Sequence, residues 1–352
     1  MRVYCETYGC TMNRADTEFM LGQLQRAGHK VVKSLDDADI AIVNTCAVKG
    51  PTMRSVLHRL GELKHREEKK VIVGGCLPLI NLEAVERKGP FEGIISCLSL
   101  NLITEVVERV SRGSSNVYAV DGTAKKIGAP RFRMNRISAP IPIAEGCLSN
   151  CSYCCVKSAR KRLRSYGPEK IVAEIKNELK SGRREILLTS QDTAAYGWDG
   201  EIQLPQLLKK VTSINGKFRV RIGMMNPAFA KQLLPELVDA FDSEKIYKFL
   251  HLPVQSGDDE ILRKMRRGYT IDEFLKIVKA FRERFSDLYL ATDVIVGFPG
   301  ESKEAFEKSC SLIEKVRPDK VNVTRFTPMP KTDAAKMKQL NGREKKTRSK
   351  KL

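Results

Sequence analysis

Residues 145–154 read Glu145-Gly146-Cys147-Leu148-Ser149-Asn150-Cys151-Ser152-Tyr153-Cys154. The cysteines are spaced C-x3-C-x2-C, and soft sulfur ligands this close together select iron–sulfur clusters or zinc over hard cations. A structural zinc site closes with four ligands, commonly as two separated pairs. The nearest fourth thiol here, Cys155, directly follows Cys154 and is badly placed to reach the same metal. The spacing therefore favours an iron–sulfur cluster with three protein ligands, while a zinc knuckle or a group of buried thiols stays open.

Three ligands on a four-iron cluster leave one iron open to a small molecule. With the aromatic Tyr153 before its last cysteine, this loop resembles the radical S-adenosylmethionine signature. The resemblance implies that the open iron chelates the amino and carboxyl groups of S-adenosylmethionine, and that an electron from the cluster cleaves the sulfonium. Tyr153 would pack beside the adenine, with a place in the core as the alternative.

The composition combines an ordinary apolar content with a strong excess of positive charge. The 352 residues include 62 Lys and Arg against 42 Asp and Glu, a formal net charge of +20. Such a field attracts polyanions, above all nucleic acid. The alternative is that the excess of basic residues only favours solubility. No apolar run approaches the ~18–20 residues of a membrane span, and a strand-like segment begins at once, without a secretory signal. We expect a cytoplasmic protein without membrane contact, whose ten cysteines serve as metal ligands and reduced thiols.

Residues 1–110 alternate short apolar runs with amphipathic stretches. This alternation predicts an α/β fold with a doubly wound parallel sheet, in which functional groups gather beyond the carboxyl ends of the strands. Cys10, Cys46 and Cys76 follow the first three predicted strands. They are so far apart in sequence that only the sheet topology can bring them together. We expect them to hold a second cluster, again with three protein ligands, and the alternative is that they are small buried side chains. The same burial is expected for Cys5, Cys97 and Cys310.

Residues 111–136 are rich in turn formers and basic residues, which predicts a linker. From residue 137 to residue 330, six strand patterns alternate with helical ones and predict an incomplete (β/α)6 barrel of the TIM type. The cysteine loop follows the first of these strands, where barrels carry their catalytic groups. Later strands are followed by Gln191, Gln255 and Ser256, which are candidates, with Tyr153, for binding S-adenosylmethionine. The alternative is that the residues after these strands only form turns between a strand and a helix. Residues 331–352 are expected to form a basic tail.

With both cysteine trios placed, the chain resembles the methylthiotransferase family of radical S-adenosylmethionine enzymes along almost its whole length. The matching segments are residues 6–13, 44–46, 74–76, 145–154, 251–257 and 291–301. Further segments resemble the archaeal and eukaryotic branch that modifies threonylcarbamoyladenosine in tRNA: residues 157–160, 165–166, 188–197 and 221–227.

The resemblance implies a tRNA-modifying transferase that replaces C2–H of N6-threonylcarbamoyladenosine at position 37, in the anticodon loop, with a methylthio group. It implies two [4Fe-4S] clusters, one in the loop at 147–154 that cleaves S-adenosylmethionine and an auxiliary one on the N-terminal trio that delivers sulfur. Because this C2–H bond is unactivated, cofactors must carry the chemistry. A separate protein would donate electrons, and we expect the enzyme to be a monomer.

Family members end in a small RNA-binding β-barrel called TRAM, and this sequence stops where that module would begin. We therefore expect weakened binding of tRNA. Two other functions stay open. One is the sister reaction, methylthiolation of a ribosomal-protein aspartate. The other is a non-enzymatic iron–sulfur or zinc protein that binds RNA.

Overall fold

The computed structural model describes residues 1–47, 50–65 and 69–352. The described chain divides into two compact units. Unit 1 comprises Met1–Pro142 and Cys155–Lys161, and unit 2 comprises Ile143–Cys154 and Arg162–Leu352. The chain therefore leaves unit 2 directly after Cys154 and returns to it at Arg162.

Unit 1 is built on a parallel sheet. Its strands are β1 (Arg2–Thr7), β2 (Lys30–Val31), β3 (Ile40–Thr45), β4 (Lys70–Gly75), β5 (Gly93–Ser96) and β6 (Val117–Ala119), and β7 (Ser138–Pro142) also belongs to this unit. The sheet order is β2-β1-β3-β4-β5-β6, and every pair is parallel. The helices are α1 (Thr11–Arg26), α2 (Gly50–Lys64), α3 (Leu77–Ile80), α4 (Leu82–Glu86), α5 (Ile103–Ser111) and α6 (Val156–Arg160). The predicted parallel α/β domain is confirmed.

The central strand explains this architecture. All six residues of β3, Ile-Ala-Ile-Val-Asn-Thr, are buried, which is typical of a parallel strand covered on both faces. Ile40 and Ile42 belong to a core that also contains Phe19 and Leu24 of α1 and Val107 of α5. The carboxyl ends of the strands are thereby fixed at one edge of a well-packed sheet.

The segment 111–136, predicted to be a linker, packs along α1 instead. Lys126 is fully buried. A Cβ atom at Gly22 would lie 2.4 Å from the carbonyl oxygen of Pro130. The Arg131 guanidinium donates to the carbonyl of Ala15 at 3.0 Å. The segment also contributes strand β6 to the sheet. Turn-forming residues carry no signal of what such a segment packs against.

Unit 2 contains a series of parallel strands with helices between them. Its strands are β8 (Ala144–Glu145), β9 (Arg164–Ser165), β10 (Glu185–Thr189), β11 (Arg219–Ile222), β12 (Phe249–His251), β13 (Tyr289–Val296) and β14 (Lys320–Arg325). The two short strands β8 and β9 form a separate antiparallel pair. β10 pairs with β11, and β13 pairs with both β12 and β14, all in parallel. A bridge from Val220 to Ile246 continues the series from β11 towards β12. This open series is the predicted incomplete barrel.

Helices lie between these strands, as the alternating sequence pattern predicts, and others follow the last strand. They are α7 (Pro168–Lys180), α8 (Leu204–Thr212), α9 (Pro227–Ala230), α10 (Leu234–Phe241), α11 (Asp259–Lys264), α12 (Ile271–Arg284), α13 (Lys303–Val316), α14 (Asp333–Lys336) and α15 (Gly342–Lys351). Thr270 and Glu273 form a capping box at the start of α12, and the Ser302 hydroxyl caps α13. Such caps satisfy backbone N–H groups that have no partner within the helix.

The last residues, expected to be a basic tail, include a helix that packs within unit 2. Arg348 of α15 is only 5% exposed. It pairs with the buried carboxylate of Glu301 and donates to the Glu301 carbonyl at 3.0 Å. Lys345 is also buried and lies against Gly297. Long basic side chains bury their aliphatic stems readily, so a run of positive charge need not be a solvated tail.

Candidate metal centres

The carboxyl ends of β1, β3 and β4 meet at one edge of the sheet in unit 1. Cys46 is the first residue after β3 and Cys76 the first after β4, and the preceding residues, Thr45 and Gly75, are paired in register. Cys10 ends the loop after β1 and is the N-cap residue of α1. Cys46 and Cys76 are buried, whereas Cys10 is exposed. The parallel topology therefore brings the three predicted ligands to the same edge.

Glycines set the close approach of these loops. Gly9 has φ +113°, and a Cβ atom there would lie 2.5 Å from the Cβ of Cys46 and 2.9 Å from its Sγ. Gly75 has φ +99°, and its Cβ would lie 2.5 Å from the side-chain oxygen of Asn44. Only glycine combines this backbone conformation with such contacts.

Two buried asparagines tie the loops together. The Asn13 amide donates to the carbonyls of Tyr8 at 3.0 Å and Thr45 at 2.9 Å. The Asn44 amide donates to the Asn13 carbonyl at 2.8 Å. The Cys10 thiol donates to the Asn13 side-chain oxygen at 3.7 Å. The loops after β1 and β3 are thus held in one hydrogen-bonded network, a role that the sequence motif did not reveal.

A fourth thiol lies at this edge. Cys97 follows β5 and is fully buried, as expected, and its thiol donates to the carbonyl of Ala159 at 3.5 Å. The neighbouring Cys97 thiol lowers the pKa of Cys76 to about 6, and the nearby Arg160 guanidinium acts in the same direction against the effect of burial. Cys76 is therefore prepared to be a thiolate, the form that binds metals.

The second predicted trio lies in the loop after β8, where Cys147, Cys151 and Cys154 are all partly exposed. The loop begins at Gly146, whose φ is +79° and whose N–H donates to the side-chain oxygen of Gln191 at 2.7 Å. Gln191, proposed from sequence as a ligand-binding residue, therefore contacts the cysteine loop itself.

A buried arginine supports this loop. The Arg267 guanidinium donates to the Cys151 sulfur at 3.2 Å and to the Asn226 side-chain oxygen at 3.0 Å. The Asn226 amide in turn donates to the Ser149 hydroxyl at 3.0 Å. Hydrogen bonds from a charged donor are among the strong ones. This series of hydrogen bonds therefore holds the loop at Cys151 and Ser149. Arg267 was not among the predicted site residues.

The other side of the loop is anchored through Ser152. Its N–H donates to the Met265 carbonyl at 3.1 Å, and its hydroxyl donates to the Lys264 carbonyl at 2.8 Å. Tyr153 packs against an apolar cluster, with its ring edge-on to Phe298 at 6.4 Å between centroids. The structure therefore places Tyr153 at the core side of the loop.

Asp192 is a buried carboxyl group beside the loop. Its Oδ1 accepts hydrogen bonds from the backbone N–H groups of Asn226 at 3.0 Å and Ala194 at 3.2 Å. Burial raises the pKa of Asp192 to about 6. Burial also raises the pKa of the Cys147 thiol, and the negative charge of Asp192 adds to that effect. The two groups are thus electrostatically linked.

The remaining predicted residues lie in the turn after β12. Gln255 has φ +69° and its N–H donates to the Asp293 carbonyl at 2.8 Å. Ser256 is fully buried, and its hydroxyl accepts from the N–H of Asp258 at 3.2 Å. The His251 ring lies 2.7 Å from the Asp293 carboxylate. In the described parts of the chain, no three Cys, His, Asp or Glu side chains are gathered at metal-binding distances. Within each unit, the fold thus gathers one cysteine trio without setting its sulfurs in ligand geometry.

Comparisons with known proteins connect these features to a family. Residues 141–313 match the family described as the radical SAM superfamily, and residues 2–96 match the uncharacterized protein family UPF0004. A protein of Pyrococcus horikoshii named probable threonylcarbamoyladenosine tRNA methylthiotransferase is 48% identical over 355 residues, covering 100% of this chain and 83% of the relative. The human threonylcarbamoyladenosine tRNA methylthiotransferase is 34% identical and covers 100% of this chain and 62% of the relative. The chain belongs to the radical S-adenosylmethionine methylthiotransferase family.

Solved structures support the same fold for this methylthiotransferase-family chain. The radical S-adenosylmethionine methyltransferase TsrM from Kitasatospora setae matches 95% of the chain and 74% of its own length, with a TM-score of 0.69 at 15% identity. The cobalamin-dependent S-adenosylmethionine radical enzyme OxsB matches 89% of the chain and 52% of its own length, with a TM-score of 0.62 at 12% identity. At such low identities, the likeness concerns the fold alone. None of the described helices has the length and apolar character needed to cross a membrane.

Proposed function

We propose that this chain methylthiolates C2 of N6-threonylcarbamoyladenosine at position 37 of tRNA. The observation that carries the proposal is the 48% identity, over the whole chain, to a relative named for this modification. Two cysteine trios at the carboxyl ends of strands, one in each unit, add support, because the reaction needs a radical generator and a source of sulfur. The formal charge of +20 suits a nucleic-acid substrate.

The residues present fit two four-iron clusters in their donor chemistry. Cys147, Cys151 and Cys154 would hold one, and the N-terminal trio of Cys10, Cys46 and Cys76 the other. When bound, these clusters and S-adenosylmethionine supply hydrogen abstraction from C2 and the transfer of sulfur and methyl. Thiolate sulfur is the usual ligand of such clusters, and both trios lie in loops that buried hydrogen bonds hold in place.

The task of the chain itself is orientation. Arg267 and Gln191 fix the cysteine loop of unit 2 from two sides, through Cys151 and Gly146. Tyr153 and Phe298 close its base with apolar surface, which helps to exclude water from a reactive site. Gln191, Gln255 and Ser256 remain our candidates for contacting S-adenosylmethionine. In this structure, the side-chain oxygens of Gln191 and Ser256 accept hydrogen bonds from backbone N–H groups.

This chemistry also requires an electron donor. We propose that the chain works in the cytoplasm as a monomer and takes electrons from a separate protein. Size-exclusion chromatography with light scattering on the anaerobic protein tests the monomer, and a stable dimer would contradict it.

Anaerobic reconstitution followed by two cysteine variants tests the main proposal. We expect about eight irons per chain, because each cluster holds four. Cys147→Ala should abolish formation of 5′-deoxyadenosine, whereas Cys46→Ala should keep it and lose the methylthio product. Equal loss of cleavage in both variants would contradict the division between the two trios.

Mass spectrometry of tRNA nucleosides then identifies the substrate. Incubation with tRNA carrying threonylcarbamoyladenosine should yield its 2-methylthio derivative. Modification of a ribosomal-protein aspartate instead would favour the sister reaction. Binding of zinc in place of iron, with no cleavage of S-adenosylmethionine, would favour a non-enzymatic RNA-binding protein.

A further inference from the structure

A group of buried charges lies inside unit 1, and we refer to Asp16, Lys126 and Arg160 as the buried charge cluster. Lys126 and Asp16 are fully buried, and Arg160 is 3% exposed. The Lys126 ammonium lies 2.7 Å from one carboxylate oxygen of Asp16, and the Arg160 guanidinium lies 2.6 Å from the other. Two cations thus share one carboxylate, so the three groups together carry one positive charge.

These side chains come from three separate parts of the sequence. Asp16 lies on α1, Lys126 in the segment 111–136, and Arg160 at the end of α6. Burial of charged groups carries a large desolvation cost, and a buried ion pair by itself is weak evidence for stabilisation. The cluster therefore calls for a role beyond holding α1 in place, and its surroundings indicate one.

Arg160 connects this cluster to the cysteine edge. Its guanidinium donates to the Asn13 side-chain oxygen at 3.3 Å, and the Cys10 thiol donates to the same oxygen at 3.7 Å. Arg160 also lies close enough to Cys10 and Cys76 for its charge to act on both thiols. The carbonyl of the preceding residue, Ala159, accepts a hydrogen bond from the Cys97 thiol. The positive end of the cluster therefore faces the sulfur atoms of this edge.

We propose that Arg160, held by Asp16 and Lys126, is a positioning residue that stabilises negative charge on the auxiliary centre of Cys10, Cys46 and Cys76. This inference rests on the proposed function, which assigns a four-iron cluster to these cysteines. A four-iron cluster on three thiolates is an anion, and reduction makes it more negative. Fixed positive charge nearby favours the reduced form, and net charge and hydrogen bonds to sulfur are known to set cluster potentials. Arg160 therefore raises the reduction potential of this centre and slows its loss.

The test uses the whole chain with Cys147, Cys151 and Cys154 replaced by alanine, so that only the auxiliary cluster can form. Its reduction potential is measured by an anaerobic redox titration followed by electron paramagnetic resonance. At a fixed potential, Arg160→Met should lower the ratio of reduced to oxidised cluster at least tenfold. This corresponds to a decrease in reduction potential of about 59 mV for one electron. Arg160→Lys keeps the charge and should restore most of the potential.

Arg348→Met is the matched control. Arg348 is also a buried arginine with a carboxylate partner, but it belongs to unit 2. It should leave the auxiliary potential unchanged.

Four outcomes decide the matter. If Arg160→Met sheds auxiliary iron while Arg160→Lys keeps it, the charge is required and the inference is supported by iron analysis alone. If both variants shed iron equally, Arg160 has only a structural role and the inference is overturned. An unchanged potential in Arg160→Met overturns it as well, while leaving the proposed function intact. If the parent protein binds no cluster at all, the proposed function fails first.

Discussion

Arg267→Met removes a buried cation from the cysteine loop of unit 2, and its effect should depend on whether the cluster is bound. Arg267 is 7% exposed, and among the described residues no carboxylate forms an ion pair with it. Its charge is instead directed at Cys151 at 3.2 Å and Asn226 at 3.0 Å. Without a cluster, no metal-bound thiolate offsets the desolvation of this cation.

With a cluster bound, Cys151 would be an anionic ligand, and the same hydrogen bond would join two opposite charges. Such a bond contributes roughly 1.5–3 kcal/mol. Its loss should weaken cluster binding about 10- to 100-fold, the range found when groups that support metal ligands are removed. The apo protein should lose much less stability, because the variant also removes a desolvated charge.

The assay is anaerobic transfer of iron from the reconstituted protein to a chelator, in a variant whose N-terminal trio is replaced by alanine. Arg266→Met is the control. Arg266 is the neighbouring residue, but its side chain is 48% exposed and pairs with Asp333 on the surface, an interaction worth about 0–1 kcal/mol. Equal rates of iron loss in the two variants would contradict the claim that the charge of Arg267 stabilises the bound cluster.

Three further predictions concern stability and RNA binding. Because burial raises the pKa of Asp192 to about 6, the folded state holds this proton more tightly than the unfolded state. The free energy of unfolding of the apo protein should therefore fall by up to roughly 3 kcal/mol as the pH rises from about 4 to about 6. Asp192→Asn should flatten this part of an anaerobic urea-unfolding series, and an unchanged profile would show that another group titrates. Gly9→Ala should cost at least about 2 kcal/mol in the same assay, because it adds a clash with Cys46 to an unfavourable φ. The matched control Gly28→Ala has φ +84° but nothing within 4 Å of its Cβ, so an equal cost in both would exclude the clash. The third concerns an open cavity of about 690 Å³, whose described lining includes five cationic side chains and no acidic one. Its triple variant, Lys176→Glu, Lys180→Glu and Lys217→Glu, should weaken tRNA binding at least tenfold and lower the salt slope by about 2–3. The control is Lys303→Glu, Lys308→Glu and Lys315→Glu, in a second cavity that also contains acidic residues, and equal losses would indicate a non-specific charge effect.

The positions of both cysteine trios could be predicted from the sequence. The spacing in residues 145–154 is a local property and needs no tertiary contact. Cys10, Cys46 and Cys76 could be placed at one edge because alternating strands and helices require a parallel sheet, whose strand ends share an edge. The same kind of periodicity predicted that strands alternate with helices between residues 137 and 330, since amphipathic spacing reflects which face is buried.

The side chains that surround those cysteines depend on tertiary contacts that no local pattern predicts. Arg160 reaches Asp16 across 144 residues of sequence, and Arg267 reaches Cys151 across 116. The sequence around each arginine looks like ordinary polar surface, because burial of a charge depends on which segments meet rather than on any periodic pattern. For the same reason, the packing of residues 111–136 along α1 could not be read from their turn-forming composition. Local patterns fix elements and strand ends, whereas the electrostatic environment of a site arises from contacts between segments that are distant in the chain.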